Sequence, residues 1–161
     1  MTGARPIPHT IGVAFGAFWG MIGAHALPDP VRTIASIAVG LAACGLIARL
    51  WLGAPLAGGG NALFRHKAYL LAVAFEVAAI LAASALLPRF GLGAYFPCVV
   101  GAIVGLHFIA LWHASGARRF LAIALAMCVV SLGAMLLPAA SRDILLGFGN
   151  ALVLWIGAGL A

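Results

Sequence analysis

The chain reads as an all-α polytopic integral membrane protein, a single transmembrane domain over residues 1–161 built as a six-transmembrane-helix bundle. Three observations lead there. Of its 161 residues, 65% are hydrophobic and 7% charged, against about 25% charged in ordinary soluble domains. The apolar residues fall into six runs, each roughly long enough to span a ~30 Å hydrocarbon core at about 1.5 Å per residue. The charged residues concentrate between the runs, where they anchor helix ends.

The first run, His9–Leu27, has the look of a secretory signal, with Arg5 ahead of Ile11–Ile22 and Ala24-His25-Ala26 in the place of a cleavage site. Leu27 and Pro28 follow at once, so it reads as a retained first helix. Pro28-Asp29-Pro30 makes a tight turn into Val31–Leu52. Gly53 to Lys67, with Gly58-Gly59-Gly60-Asn61 inside it, is a flexible loop by composition. Ala68–Leu87 then ends at Pro88-Arg89-Phe90-Gly91. Leu92–His113 leads through Ser115 to Arg119, Arg119–Leu137 closes at a turn from Pro138 to Asp143, and Ile144–Leu160 is the last run.

Charge sets the expected orientation. With the N-terminus inside, one face holds Arg5, Arg49, Arg65, Lys67, Arg118 and Arg119, and the other Arg32, Arg89 and Arg142. That asymmetry predicts cytoplasmic N- and C-termini, with Trp51 and Trp112 near the cytoplasmic ends of their helices. The odd-numbered runs end alike, in Ala26-Leu27-Pro28, Leu86-Leu87-Pro88 and Leu136-Leu137-Pro138. Gly45-Leu46 with Trp51 and Gly105-Leu106 with Trp112 repeat as well, which suggests three helical hairpins in a parallel repeat.

Several function classes fall away. The formal charge of +6 does not point to nucleic acid, because no basic surface interleaved with aromatics lies outside the runs. Cys44, Cys98 and Cys128 sit within apolar runs and share no C-x-x-C spacing, so neither a disulfide framework nor a thiolate metal site is expected. The Gly58-Gly59-Gly60 stretch lacks the Lys-Ser/Thr of a phosphate loop, and no serine stands in G-x-S-x-G. No enzyme, cofactor or haem site is expected; His9, His25, His66 and His113 form no metal-binding motif.

Small residues predict where helices meet. Gly12, Gly16, Gly20 and Ala24 recur every fourth position in the first run, Gly101 and Gly105 in the fourth, and Gly40, Cys44 and Ala48 in the second. Such stripes let backbones approach closely, since lipid tails supply no hydrophobic push between helices. Two readings follow for the Gly12/Gly16/Gly20 face: packing inside the bundle, or an interface with a second copy or a membrane-complex partner.

Glu76 is the residue that composition forbids. The chain has three acids, and while Asp29 and Asp143 stand in loop-like stretches, Glu76 lies mid-run among Ala, Leu, Val, Ile and Phe. An ionisable group there costs roughly 2.5–3.5 kcal/mol on insertion scales, so it calls for a partner. Ala72, Ala79 and Ala83 share its helix face, which places the carboxyl inside a bundle. His107, in the antiparallel next run, lies at nearly the same depth and is the expected partner. Asn150 in the last run is the other polar residue at membrane depth. The three form a candidate intramembrane site for a proton or cation in a transporter or channel. The alternative is a non-catalytic subunit or scaffold in which Glu76 holds one structural hydrogen bond and fixes helix register.

Gly105-Leu106-His107-Phe108, leading through Leu111-Trp112 to an arginine-bearing loop and another apolar helix, resembles a segment of small, functionally unassigned bacterial multi-pass inner-membrane proteins. The resemblance covers Val99–Leu137. It implies a multi-pass protein of the bacterial inner (plasma) membrane and brings no activity with it.

Overall fold

A computed structural model describes residues 6–53 and 67–159, apart from the side chain of Ala68. Arg5, Arg65, His66, Leu160 and the Gly58-Gly59-Gly60-Asn61 stretch lie outside the described residues. The described elements are all helical: α1 (Ile7–His25), α2 (Val31–Leu52), α3 (Lys67–Leu86), α4 (Phe96–Ser115), α5 (Arg118–Ala134) and α6 (Ala139–Gly159), with two 3-10 turns at Leu87–Phe90 and Gly93–Tyr95. Among the described residues, five apolar helical stretches are long enough to cross a membrane: Ile7–His25, Val31–Leu52, Tyr69–Phe90, Gly93–Ser115 and Ala139–Gly159. α5 holds 17 residues and opens on Arg118 and Arg119.

Proline and glycine explain most of the boundaries. Pro8 occupies the first turn of α1, where its missing N–H leaves nothing unsatisfied. Between α1 and α2 the guanidinium of Arg32 holds the carboxylate of Asp29 at 2.5 Å. Gly91 ends the first 3-10 turn at φ 71°, a left-handed conformation open to a residue without Cβ.

Two helix starts differ most from the sequence reading, and α5 ends at Ala134 rather than Leu137. α4 starts at Phe96 rather than Leu92, because residues 93–95 wind as a 3-10 turn and Pro97 takes the first helical turn. α6 starts at Ala139 rather than Ile144, with the Arg142 N–H bonded to the Pro138 carbonyl at 2.8 Å. Pro138 therefore opens a helix instead of a loop, and Arg142 and Asp143 stand on it. Arg142 is 7% exposed and its guanidinium lies 4.8 Å over the Tyr95 ring.

In space the helices follow the order α2, α1, α6, α5, α4, α3. Sequence neighbours pack as α1/α2, α3/α4, α4/α5 and α5/α6, while the broadest contact joins the first helix to the last. The stripe Gly12, Gly16, Gly20 and Ala24 meets helices of the same chain: Gly16 lies under Trp155, and Gly20 between Val39 and Ala151. The closest approach is at Gly23 and Gly147, where a Cβ on Gly147 would fall on the Gly23 backbone. Trp155 adds a polar tie, its indole N–H donating to the Val13 carbonyl at 3.1 Å. Gly101 and Gly105 seat α4 on Ser131, Cys128 and Ala124 of α5. The α2 stripe behaves otherwise: Gly40, Cys44 and Ala48 are exposed, and Val39 and Ala43 face the bundle instead. That face packs as a unit, Ala43 meeting Val13 and Ala158 while Leu46, Ile47 and Leu50 close around them.

α3 is the least enclosed helix. None of its described residues is buried, and its packing within the chain is on α4. It is apolar all round except for Lys67, Tyr69, Glu76 and Ser84, as suits a helix in an apolar surrounding.

Candidate functional site

One face of α3 carries Tyr69, Val73, Glu76 and Ile80, and one face of α4 carries Val104, His107, Phe108 and Leu111. Both series follow the three-and-four spacing that aligns side chains along a helix. Where α3 crosses α4, Oε2 of Glu76 lies 3.1 Å from Nδ1 of His107, with the two side chains 18% and 10% exposed. Nδ1 is sealed from solvent but makes no aligned hydrogen bond. The ion-pair distance and the missing bond are compatible: the atoms touch, while the ring plane is turned off the carboxylate. Ala72, Ala79 and Ala83 are half-buried on the same side of α3 as Glu76, and their small side chains leave the carboxylate room to reach α4.

Aromatic rings frame the pair. Tyr69 stands edge-on to His107 with ring centroids 5.7 Å apart, and Phe108 stands edge-on to it on the other side at 6.0 Å. Phe108 in turn stacks on Phe120 of α5. Sequence reasoning did not single out Tyr69, although its position seven residues before Glu76 places it two turns along the same face.

Beside the pair lies a cavity of about 330 Å³ bounded by α1, α3, α4 and α5. It exists because α3 leans on α4 without packing broadly on α1. Pro8, Ile11, Gly12 and Phe15 of α1 form the far wall. Glu76, His107 and Tyr69 are the polar side chains in an otherwise hydrocarbon lining.

Asn150 is elsewhere. Its amide donates to Ser131 Oγ at 3.2 Å, and both side chains are completely buried against Gly101 at the α4/α5/α6 junction. Its Oδ1 makes no hydrogen bond, and it does not line the Glu76 cavity. Of the three candidate residues, the fold brings two together and places the third in the bundle core. At one end of the bundle His9 meets Arg119, Nε2 to Nη1 at 3.5 Å. Among the described residues no group of three or more His, Cys, Asp or Glu side chains is arranged to hold a metal ion.

The chemistry open to the pair is proton exchange. A carboxylate and an imidazole in contact offer two acceptors for one proton. The cavity lies against both side chains. Comparison with protein-family models, curated proteins and solved structures finds no match.

Proposed function

We propose that the chain is a small transporter or channel of a bacterial inner membrane, spanning it six times with both termini in the cytoplasm, and that Glu76 and His107 form its proton or cation site. The observation that carries this reading is the cavity on which both side chains open. A carboxylate serving only to pin two helices has no need of one; it is better sealed by apolar neighbours. Asn150 with Ser131 has that sealed arrangement, so the pair on the cavity is accessible and the pair in the core closed. The excess of Arg and Lys on one side supports the orientation, and the turn that follows α5, where the Met135, Leu136 and Leu137 N–H groups bond to the Leu132, Gly133 and Ala134 carbonyls, adds length toward a sixth span.

The test is flux. Purified protein in liposomes carrying a pH-sensitive dye is expected to pass protons under an imposed gradient, and Glu76→Gln to stop it while the chain stays folded. Unchanged flux in Glu76→Gln, together with a lower unfolding temperature, would leave the carboxyl a structural residue and the chain a subunit or scaffold.

A further inference from the structure

The lining of the cavity narrows what it can hold. A bare inorganic cation takes about six or more oxygen ligands for calcium, and magnesium keeps its own waters. The side-chain oxygens on the cavity are the two of Glu76 and the hydroxyl of Tyr69. Such a set leaves a dehydrated metal ion most of its shell short. A hydrophobic cation is different: it needs one counter-charge, and its body is content against hydrocarbon. Phe15, Tyr69, Phe108 and Phe120 supply aromatic surface around the carboxylate, and aromatic faces attract quaternary and protonated amines. The volume of about 330 Å³ stands at the small end of the roughly 300–1,000 Å³ usual for small-molecule sites.

Access fits the same ligand. The cavity lies between α1 and α3, which do not pack broadly together. Ile11 on one side is 42% exposed and Val77 on the other 52%. An amphiphilic cation dissolved in the bilayer enters sideways through that gap without crossing a polar vestibule.

We infer that the Glu76 cavity is a binding site for a small hydrophobic organic cation, a quaternary ammonium or protonated amine carrying one aromatic ring, taken up laterally between α1 and α3. The inference rests on the proposed transport reading and names its substrate class. Cation and proton compete for one carboxylate. The titratable groups facing Glu76 are His107 from α4 and Tyr69 from its own helix; α1 and α5 present apolar side chains there. Binding therefore strengthens as pH rises and Glu76 loses its proton.

The experiment titrates the full-length protein in nanodiscs with benzyltrimethylammonium and with neopentylbenzene, its neutral isostere. Saturable binding of the cation, at least about tenfold tighter than the isostere, a gap of 1.4 kcal/mol, is expected, with no competition from sodium. Glu76→Gln should erase the preference for charge. Ile11→Trp, which fills the cavity from the far wall without touching the Glu76–His107 pair, should weaken both ligands. Equal binding of cation and isostere, or no saturable binding to the folded wild-type chain, overturns the inference. Glu76-dependent proton flux without cation binding would sink the substrate class and leave the transport reading standing. Cation binding without any flux would do the reverse.

Discussion

Oε2 of Glu76 on α3 and Nδ1 of His107 on α4 stand 3.1 Å apart, joining two ionisable groups across an interface built largely from hydrocarbon. Each side chain is the other's compensation for leaving water. Removing one partner strands the other, which costs more than removing both. Glu76→Leu and His107→Leu are each expected to lower the unfolding midpoint in detergent. The double variant should recover part of the loss, with a coupling of about 0.5–3 kcal/mol. Strict additivity of the two single effects would mean that the pair does not interact.

Asn150 and Ser131 should behave as glue. Ser131→Ala removes the acceptor of the 3.2 Å bond and is expected to cost about 0.6–2 kcal/mol, the range of interhelical hydrogen bonds in membranes. Proton flux through Ser131→Ala should equal wild type. A flux defect at equal stability would place this pair on the transport path after all.

Glycine-to-alanine exchanges separate two kinds of small residue. Gly147→Ala puts a methyl into the Gly23 backbone, and the α1/α6 crossing must open, at a cost of about 1–3 kcal/mol. Gly40→Ala meets nothing within 4 Å and should raise helix stability by up to about 1 kcal/mol. Thermal unfolding of both variants in the same detergent measures the contrast; equal midpoints would contradict the crossing.

Orientation has its own readout. Fluorescent-protein fusions at the N- and C-termini should both be bright in bacterial cells, and alkaline phosphatase fusions at the same ends inactive. An active phosphatase at either end would reverse that end's placement and with it the proposed topology.

Much of the site was legible along the chain, for a physical reason. A carboxylate amid hydrocarbon is conspicuous, and on adjacent antiparallel helices equal distance from the shared ends means equal depth, so Glu76 could be matched to His107 by counting. Asn150 was legible only as a polar residue at membrane depth, and nothing along the chain showed that it faces Ser131. Depth is one coordinate; rotation about the helix axis is another, and α6 has small or apolar residues on several sides. The stripes show the same limit. Gly16 and Gly20 lie in the α1/α6 contact, whereas Gly40, Cys44 and Ala48, an equally regular series, face outward.

The sequence by itself determined the all-helical class, the helices long and apolar enough for a membrane, and the anomaly at Glu76. These follow from local quantities: run length, hydropathy, and the cost of one charge. Only the tertiary structure decided that α1 closes on α6 and that α3 stands away from α1. That separation creates the cavity, and it depends on how side chains far apart in sequence fill space. Glu76 is thus conspicuous from composition alone, but the space beside it is a property of three other helices.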